Sequence, residues 1–193
     1  MTIKRDAALA ILARHHTDQI VVAVYQAAFE WIRLKPDALN FISVGAMGQA
    51  SSHALGFALG MPERRVLVFD GDGSLLMNLG SLVTIGGAAP ANLVHFVFEN
   101  GCYEANGGHP IPAQSAVDFR GLALAAGYRA AHTIETTDEL DAMLPALMAA
   151  RGPVLVDLRV EAGAKVKEDY EYMHGRARID FREKLRESPG APR

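Results

Sequence analysis

The sequence predicts an α/β domain with a doubly wound, mainly parallel six-stranded sheet and helices on both faces. Six short runs rich in β-branched residues recur along the chain, and the intervals between them each leave room for a helix. Runs such as Val66–Phe69 are apolar throughout, which suits strands that are covered on both faces. A chain of 193 residues, half of them hydrophobic, is long enough to form such a core.

The strands and helices can be placed in order along the chain. Strands are expected at Ile20–Val24, Asn40–Val44, Val66–Phe69, Leu93–Phe98, Ala131–Ile134 and Val154–Val160. Helices are expected at Asp6–His15, Gln26–Leu34, Met47–Leu59, Ser74–Ala88, Ala116–Ala126 and Thr137–Ala150, the last with capping residues from Thr137. Residues 1–162 are expected to form one domain. Residues 163–193 form a charged, partly helical tail, with disorder expected from Ser188.

Charge and cysteine content exclude several classes of protein. The 19 basic and 22 acidic residues give a net charge of −3, which offers no electrostatic case for binding nucleic acid. The single cysteine, Cys102, excludes an internal disulfide and a cysteine-ligated cluster.

The stretches Ala38–Pro62 and Ser74–Phe98 each run for 25 residues without a charge, but glycine, proline and polar residues interrupt them, so neither is expected to span a membrane. No signal peptide is recognised at the start, and a cytoplasmic protein is expected.

Two loops that follow predicted strands carry the residues suited to chemistry, because ligands of open parallel sheets bind beyond the carboxyl ends of the strands. In the first loop, residues 71–73 read Gly-Asp-Gly and lead into a helix. Glycines and a helix N-terminus favour a bound anion, whereas Asp72, expected in a surface loop, would repel that anion unless a cation lay between them. The first loop is therefore expected to bind a phosphate together with a divalent metal.

The second loop supplies neutral oxygen atoms. Asn100 follows the next predicted strand, 28 positions after Asp72, a separation that places the two residues at the ends of adjacent strands. Mg²⁺ prefers oxygen ligands and usually takes few of them from the protein when phosphates are present. Each residue alone is common in turns and caps, so the prediction rests on their conjunction.

This conjunction resembles the signature of thiamine diphosphate enzymes, a Gly-Asp-Gly followed some 25 to 30 residues later by asparagine. Glu99 stands where the first asparagine of the usual Asn-Asn pair would be, whereas the metal-binding second asparagine is retained as Asn100. The resemblance implies that thiamine diphosphate and Mg²⁺ are the cofactors. It implies Mg²⁺ ligands from the side chains of Asp72 and Asn100 and the carbonyl of Cys102. It also implies cofactor contacts from Gly71, Gly73, Ser74 and Tyr103.

An upstream segment resembles the part of the family's site that holds the cofactor rings. In residues 45–48, Gly-Ala-Met-Gly, the resemblance implies that the carbonyl of Gly45 accepts from the 4′-amino group. Met47 would then wedge between the two rings. Ala46, which lies between Gly45 and Met47 in the sequence, would also contact the cofactor. Met47 alone would be interpreted as a core residue; its position one strand–helix unit before the Gly-Asp-Gly favours the cofactor role.

The similarity is closest to sulfopyruvate decarboxylase β subunits and phosphonopyruvate decarboxylases. It covers residues 71–80, 50–52 and 100–103 and extends to about Gly163, and the chain's length matches a free-standing β subunit. His109 stands where that family commonly has glutamine, and residues 25–30 lack a Ser-Arg-Glu-Leu-like run. The resemblance implies a decarboxylase of a small 2-oxoacid, and these two departures bear on its substrate.

Thiamine chemistry also requires a carboxylate at the pyrimidine N1′ atom, which the family carries on a separate pyrimidine-binding domain. The acidic residues nearest the motifs are Glu30, Glu99 and Glu104, and Glu99 is expected to be packed or paired beside the metal. The resemblance therefore implies a partner α subunit that carries this glutamate, and thus a hetero-oligomer. The alternatives are a subunit of a carboligase, such as an acetolactate synthase or transketolase, and a non-catalytic scaffold that retains the fold.

The histidines are the obvious acid–base candidates within this chain. His109, in a loop just past the expected metal site, is the candidate for a substrate contact. His53 is expected to pack or to lie at an interface, and His95 to be a hydrogen-bonded core residue. His15 and His16, near a helix end, are expected to be solvated.

Overall fold

The computed structural model describes residues 3–43, 47–114, 116–161 and 167–188. Its strands are β1 (Ile3–Lys4), β2 (Ile20–Ala23), β3 (Leu39–Ile42), β4 (Val66–Gly71), β5 (Leu93–Glu99), β6 (Cys102–Tyr103), β7 (His109–Pro110), β8 (Ala130–Ile134) and β9 (Val154–Glu161). Its helices are α1 (Arg5–His15), α2 (Tyr25–Leu34), α3 (Ala50–Gly60), α4 (Asp72–Leu76), α5 (Ser81–Ala88), α6 (Phe119–Ala125), α7 (Thr137–Ala149) and α8 (Ala177–Glu187). A 3₁₀ turn (Glu104–Asn106) and a π-helical turn (Tyr172–Arg176) complete the described part.

In these described ranges, seven parallel strands form the main sheet, in the order β1-β9-β5-β4-β2-β3, with β8 also paired to β9 beside β1. The predicted doubly wound α/β fold is confirmed, and all six predicted strands are present. The added strand, β1, was not predicted because its two residues are too short a run to show any pattern. Strands β6 and β7 form a separate antiparallel pair.

The core lies in two layers, one on each face of the sheet. In β2, Val21 and Ala23 belong to the layer under α1, α2 and α7, whereas Ile20 and Val22 belong to the layer under α3, α5 and α6. Successive side chains of a strand point to opposite faces, so burial on both sides explains why the strands are apolar throughout.

Several helix boundaries differ from prediction; α6, for example, begins at Phe119 rather than Ala116, directly after its cap residue Asp118. Three other differences have local reasons. The helix expected over residues 74–88 is interrupted by a turn and forms α4 and α5. The helix expected from Met47 begins at Ala50, because Gly48 adopts a φ of +82° that cannot continue a right-handed helix. The cap of α7 is Thr136, one residue earlier than expected, and its side chain accepts from the Glu139 amide.

The C-terminal segment packs against the sheet and its helices. Tyr170 stacks edge-on against Phe29 of α2, and Met173 belongs to the first core layer. Phe181 of α8 packs against Phe41 of β3 and Phe57 of α3, within the second layer. The segment therefore passes beside β3 from one face of the sheet to the other. The predicted domain boundary at residues 162–163 and most of the predicted disordered end lie outside the described residues.

The two charge-free stretches form the β3–α3 and α4–α5–β5 parts of the fold. None of the helices in the described ranges combines the length and the apolar character needed to cross a lipid bilayer.

Candidate functional site

A cleft lies beyond the carboxyl ends of β2, β4 and β5. It brings together most of the residues that the sequence singled out, although they are distant in the chain. The cleft is lined by Arg5, Val24, Tyr25, Gln26, Ala27, Met47, Asp70, Gly71, Asp72, Gly73, Ser74, Asn100, Cys102, Tyr103, Glu104 and Ala105. Its position agrees with the rule that open parallel sheets bind ligands at this edge.

Asp72 is buried, and the expectation of a surface-loop carboxylate is wrong. Its Oδ2 accepts from the backbone amides of Asn100 and Gly101 at 3.0 and 2.6 Å, and its Oδ1 accepts from the Gly73 amide at 2.7 Å. The carboxylate thus joins the loop after β4 to the loop after β5. Burial raises the pKa of Asp72 to about 6, and the three amide donors oppose that rise.

The side chain of Asn100 is held at both ends. Its Oδ1 accepts from the Cys102 amide at 2.9 Å, and its Nδ2 donates to Glu104 Oε2 at 2.8 Å. Cys102, two positions further along the chain, also lines the cleft, so all three predicted metal-binding positions lie on it.

These residues fit a hard divalent cation. A carboxylate has about four acceptor positions and an amide oxygen has two. The three amide donors on Asp72 and the one on Asn100 Oδ1 therefore leave each group one position for a metal. In the described residues, no three His, Cys, Asp or Glu side chains cluster as a metal site. A cation here would take few protein ligands, as Mg²⁺ does when phosphates complete its coordination.

An ionic network that the sequence did not reveal lies at one side of the cleft. Arg5 is 3% exposed, and its Nε and Nη2 contact Glu30 Oε1 at 3.0 and 2.7 Å. Its Nη1 contacts Glu104 Oε2, 99 positions away in the chain, and no spacing rule predicts such a pair. Burial acts to lower the pKa of Arg5, but the two carboxylates outweigh it and raise that pKa.

Among the described residues, the charged ones that line the cleft are one arginine and three carboxylates: Arg5, Asp70, Asp72 and Glu104. The excess of negative charge would repel a bare diphosphate. A divalent cation between the carboxylates and the diphosphate would offset that repulsion.

Glycines in and beside the cleft allow close contacts between its loops. A Cβ atom on Gly73 would lie 2.5 Å from Cδ1 of Tyr103, so the tyrosine ring rests directly on that glycine. The Gly48 amide donates to Ser74 Oγ at 2.9 Å, which connects the loop before α3 to the start of α4. Helix α4 has only five residues, so its dipole adds little to anion binding and the cation matters more.

We predict that Gly48→Ala lowers the free energy of unfolding by about 1–3 kcal/mol, because φ is +82° there and the added Cβ would lie 2.8 Å from Asn78 Cβ. The matched control is Gly56→Ala in α3, where a Cβ meets nothing within 4 Å. Alanine should stabilise that helix by up to about 1 kcal/mol. Urea denaturation of both variants checks this. Equal effects at the two positions would show that Gly48 is not constrained.

The other predicted cofactor contacts are only partly described. Gly45 and Ala46 lie outside the described residues. Met47 is half-buried and lines the cleft rather than the core. His109 is exposed in β7 and does not line the cleft, and its contact with substrate stays a prediction.

The remaining histidines have structural surroundings. His16 is buried, its Nε2 lies 3.0 Å from the Gln19 carbonyl and its ring packs against Trp31, so the expectation that it is solvated is wrong. His53 packs against Phe41, as expected. His95 is fully buried beside the Tyr128 hydroxyl, which confirms its prediction as a hydrogen-bonded core residue.

Glu99 is paired beside the cleft, as predicted. Arg159 Nε lies 3.1 Å from Glu99 Oε2 and 3.4 Å from Asp157 Oδ2. Burial and then the neighbouring Asp157 raise the pKa of Glu99 to about 8. Glu99 of β5 is therefore held by its contacts with Asp157 and Arg159 of β9.

Comparisons with known proteins agree with this geometry. Residues 21–158 match the family model described as thiamine pyrophosphate enzyme, C-terminal TPP binding domain. The chain is 48% identical over 125 residues to a phosphonopyruvate decarboxylase of Streptomyces viridochromogenes, an alignment covering 65% of this chain and 31% of that protein. It is 37% identical over 134 residues to the sulfopyruvate decarboxylase subunit beta of Methanothermobacter thermautotrophicus, covering 69% of each.

A solved structure shows the same fold. Benzoylformate decarboxylase from Polynucleobacter necessarius superposes with a TM-score of 0.67 at 20% identity, covering 84% of this chain and 34% of that one. The chain thus spans about a third of the phosphonopyruvate decarboxylase that it matches and about two thirds of the β subunit.

Proposed function

The chain belongs to the family of thiamine pyrophosphate enzymes with a C-terminal TPP binding domain, and on that premise we propose that it is the diphosphate- and Mg²⁺-binding subunit of a two-component 2-oxoacid decarboxylase. Its cofactor would be thiamine diphosphate, another name for thiamine pyrophosphate. Its substrate would be a small 2-oxoacid similar to sulfopyruvate or phosphonopyruvate. Relatives named for those two activities support this substrate class.

The observation that carries the proposal is the meeting of Asp72 and Asn100 at the ends of adjacent strands, in a cleft with an excess of carboxylates. Each side chain keeps an acceptor position for a cation. The carboxylates of the cleft would repel a diphosphate that entered without a cation. Thiamine diphosphate bound together with Mg²⁺ brings both groups to the cleft. A scaffold that only retained the fold would need neither the oxygen ligands nor the open cleft.

The chain's residues would divide the work of holding the cofactor. Asp72, Asn100 and the Cys102 carbonyl would hold Mg²⁺. The diphosphate would lie against Gly71, Gly73, Ser74 and Tyr103, and the rings against Gly45, Ala46 and Met47. When bound, the cofactor supplies the electron sink that lets a 2-oxoacid lose CO₂. The protein residues hold, orient and partly desolvate it.

The carboxylate for the pyrimidine N1′ atom would come from a partner subunit. The three acidic residues nearest the site are already engaged: Glu30 and Glu104 contact Arg5, and Glu99 contacts Arg159. Moving Glu30 or Glu104 to the cofactor would take away one of the two carboxylates that neutralise the buried Arg5, and moving Glu99 would take away one of the two beside Arg159, so each move would weaken an existing ion-pair network. Relatives named subunit beta support a hetero-oligomer.

The function is tested by assaying the chain with a pyrimidine-binding partner for CO₂ release from sulfopyruvate, phosphonopyruvate and pyruvate. We expect CO₂ and an aldehyde from one of the first two, dependent on added thiamine diphosphate and abolished by a chelator of Mg²⁺. A coupled carbon–carbon product in place of the aldehyde would identify a carboligase. Absence of turnover with every 2-oxoacid, although the partner is bound, would argue for a scaffold.

We predict that Met47→Ala lowers kcat about 10-fold or more while changing the affinity for thiamine diphosphate little, since the diphosphate anchor is elsewhere and misorientation of the rings acts on the rate. Met47 is half-buried and outside the core layers, so the loss of stability should fall below the ~2–5 kcal/mol typical of a buried Met→Ala change. Met47→Leu, which keeps an apolar side chain of similar volume, is the control. Full activity in Met47→Ala would show that the residue only covers the cleft.

A further inference from the structure

The side chain of Asn100 has two chemically opposite ends. Its amide oxygen can bind a cation, whereas its NH₂ group can only donate and would turn a positive charge away. If Asn100 serves as a metal ligand, as the proposed function requires, something must fix which end faces the cleft. The structure identifies what does so.

The contacts of Asn100 leave one orientation. The NH₂ group donates to Glu104 Oε2 at 2.8 Å, and the oxygen accepts from the Cys102 amide at 2.9 Å. An ionised carboxylate only accepts and a backbone amide only donates, so exchanging the oxygen and nitrogen would break both bonds. Glu104 and the Cys102 amide thus set the direction of the amide oxygen before any cation arrives.

Glu104 is itself held in place. Arg5 Nη1 contacts the same Oε2 atom that accepts from Asn100, and the other side of the guanidinium is held by Glu30 of α2. Arg5 is 3% exposed, and the Glu30 and Glu104 side chains are 12% and 14% exposed. Arg5 also neutralises Glu104, which would otherwise be free to swing toward the cation as a competing carboxylate ligand.

We propose that Glu104 is a positioning residue that orients the Asn100 side chain for metal binding, and that its contact with Arg5 holds Glu104 in that role. The inference rests on the proposed function, because it concerns how the same site orients a side chain that binds the cation. Mutating a residue that hydrogen-bonds to a metal ligand commonly lowers metal affinity by about 10- to 100-fold.

The test measures Mg²⁺ affinity by calorimetry, at saturating thiamine diphosphate, on the full chain with its pyrimidine-binding partner. Glu104→Ala should weaken Mg²⁺ binding by about 10- to 100-fold. Glu104→Gln should recover most of that loss, since a single amide oxygen can still accept from both Arg5 and Asn100. The matched control is Glu30→Ala, which removes a carboxylate from Arg5 without touching Asn100 and should change Mg²⁺ affinity much less. The unfolding midpoint of each variant is measured alongside.

A second readout separates positioning from general stability. Mn²⁺ bound in place of Mg²⁺ should give a changed electron paramagnetic resonance spectrum in Glu104→Ala and a wild-type spectrum in Glu30→Ala. Wild-type affinity and spectrum in Glu104→Ala, with Asp72→Asn still defective, would overturn this inference alone. Equal losses of affinity in Glu104→Ala and Glu30→Ala would overturn it too. A wild-type protein that binds neither Mg²⁺ nor thiamine diphosphate would overturn the proposed function and this inference together.

Discussion

Asp72→Asn is expected to weaken Mg²⁺-dependent binding of thiamine diphosphate by more than about 100-fold, because residues that only support metal ligands already account for 10- to 100-fold. Asparagine is the informative replacement because Asp72 is buried and accepts three backbone amides. Its amide oxygen can still accept from Asn100 and Gly101, so the two loops should stay joined. It also removes the charge that burial disfavours, as shown by the raised pKa of Asp72.

Calorimetry with thiamine diphosphate, in Mg²⁺ and in a chelator, checks this expectation. The matched control is Asp118→Asn, which changes the N-cap of α6 away from the cleft. An asparagine is as good an N-cap as aspartate, so this variant should bind the cofactor as the wild type does. Binding by Asp72→Asn within a factor of two or so of wild type would exclude Asp72 as a metal ligand.

The second large effect is expected when the chain is assayed alone. With thiamine diphosphate and Mg²⁺ in excess, CO₂ release from any 2-oxoacid should fall by at least ~10²–10⁴-fold relative to the complex with a pyrimidine-binding partner, the usual contribution of a proton-transfer group. Without a carboxylate at N1′, the cofactor's own base would not form. The three nearest glutamates contact Arg5 or Arg159, so we expect none of them to replace it.

The matching control restores the partner with its glutamate replaced by glutamine. That complex should assemble and bind the cofactor but remain as inactive as the lone chain. Robust turnover by the chain alone would mean that Glu30, Glu99 or Glu104 reaches N1′ in a homo-oligomer. In that case the two-component proposal would be abandoned.

The sequence predicted the parts of the site that follow from topology. Asp72 and Asn100 could be placed side by side because successive parallel strands end at one edge of the sheet, and 28 residues is the length of the unit between them. The network of Arg5, Glu30 and Glu104 could not be foreseen, because ion pairs between distant segments leave no periodicity. The burial of Asp72 was missed for a related reason: three amides from two loops surround it, and their positions depend on the folded backbone.

Local backbone detail was the other limit of sequence reasoning. The break between α4 and α5 contains Asn78 and Gly80, two residues of low helix propensity, and the Asn78 side chain donates to the Gly48 carbonyl at 2.9 Å. That bond crosses 30 positions, so no local sequence pattern contains it. His16 likewise became a core residue because it packs on Trp31, a contact that no helix-end rule contains.

The path of the C-terminal segment beside β3 has a consequence for solubility. Within the part of the chain that the structure describes, strand β3 pairs only with β2, so its outer backbone groups could accept a strand from another chain, the usual route to aggregation of an open sheet. Arg33 donates to the Lys167 carbonyl at 2.7 Å and Lys184 to the Pro36 carbonyl at 2.6 Å, which fix the segment on either side of β3. The charged helix α8 thus covers that edge of the sheet, while the cleft at the carboxyl ends of the strands is lined by no residue of α8.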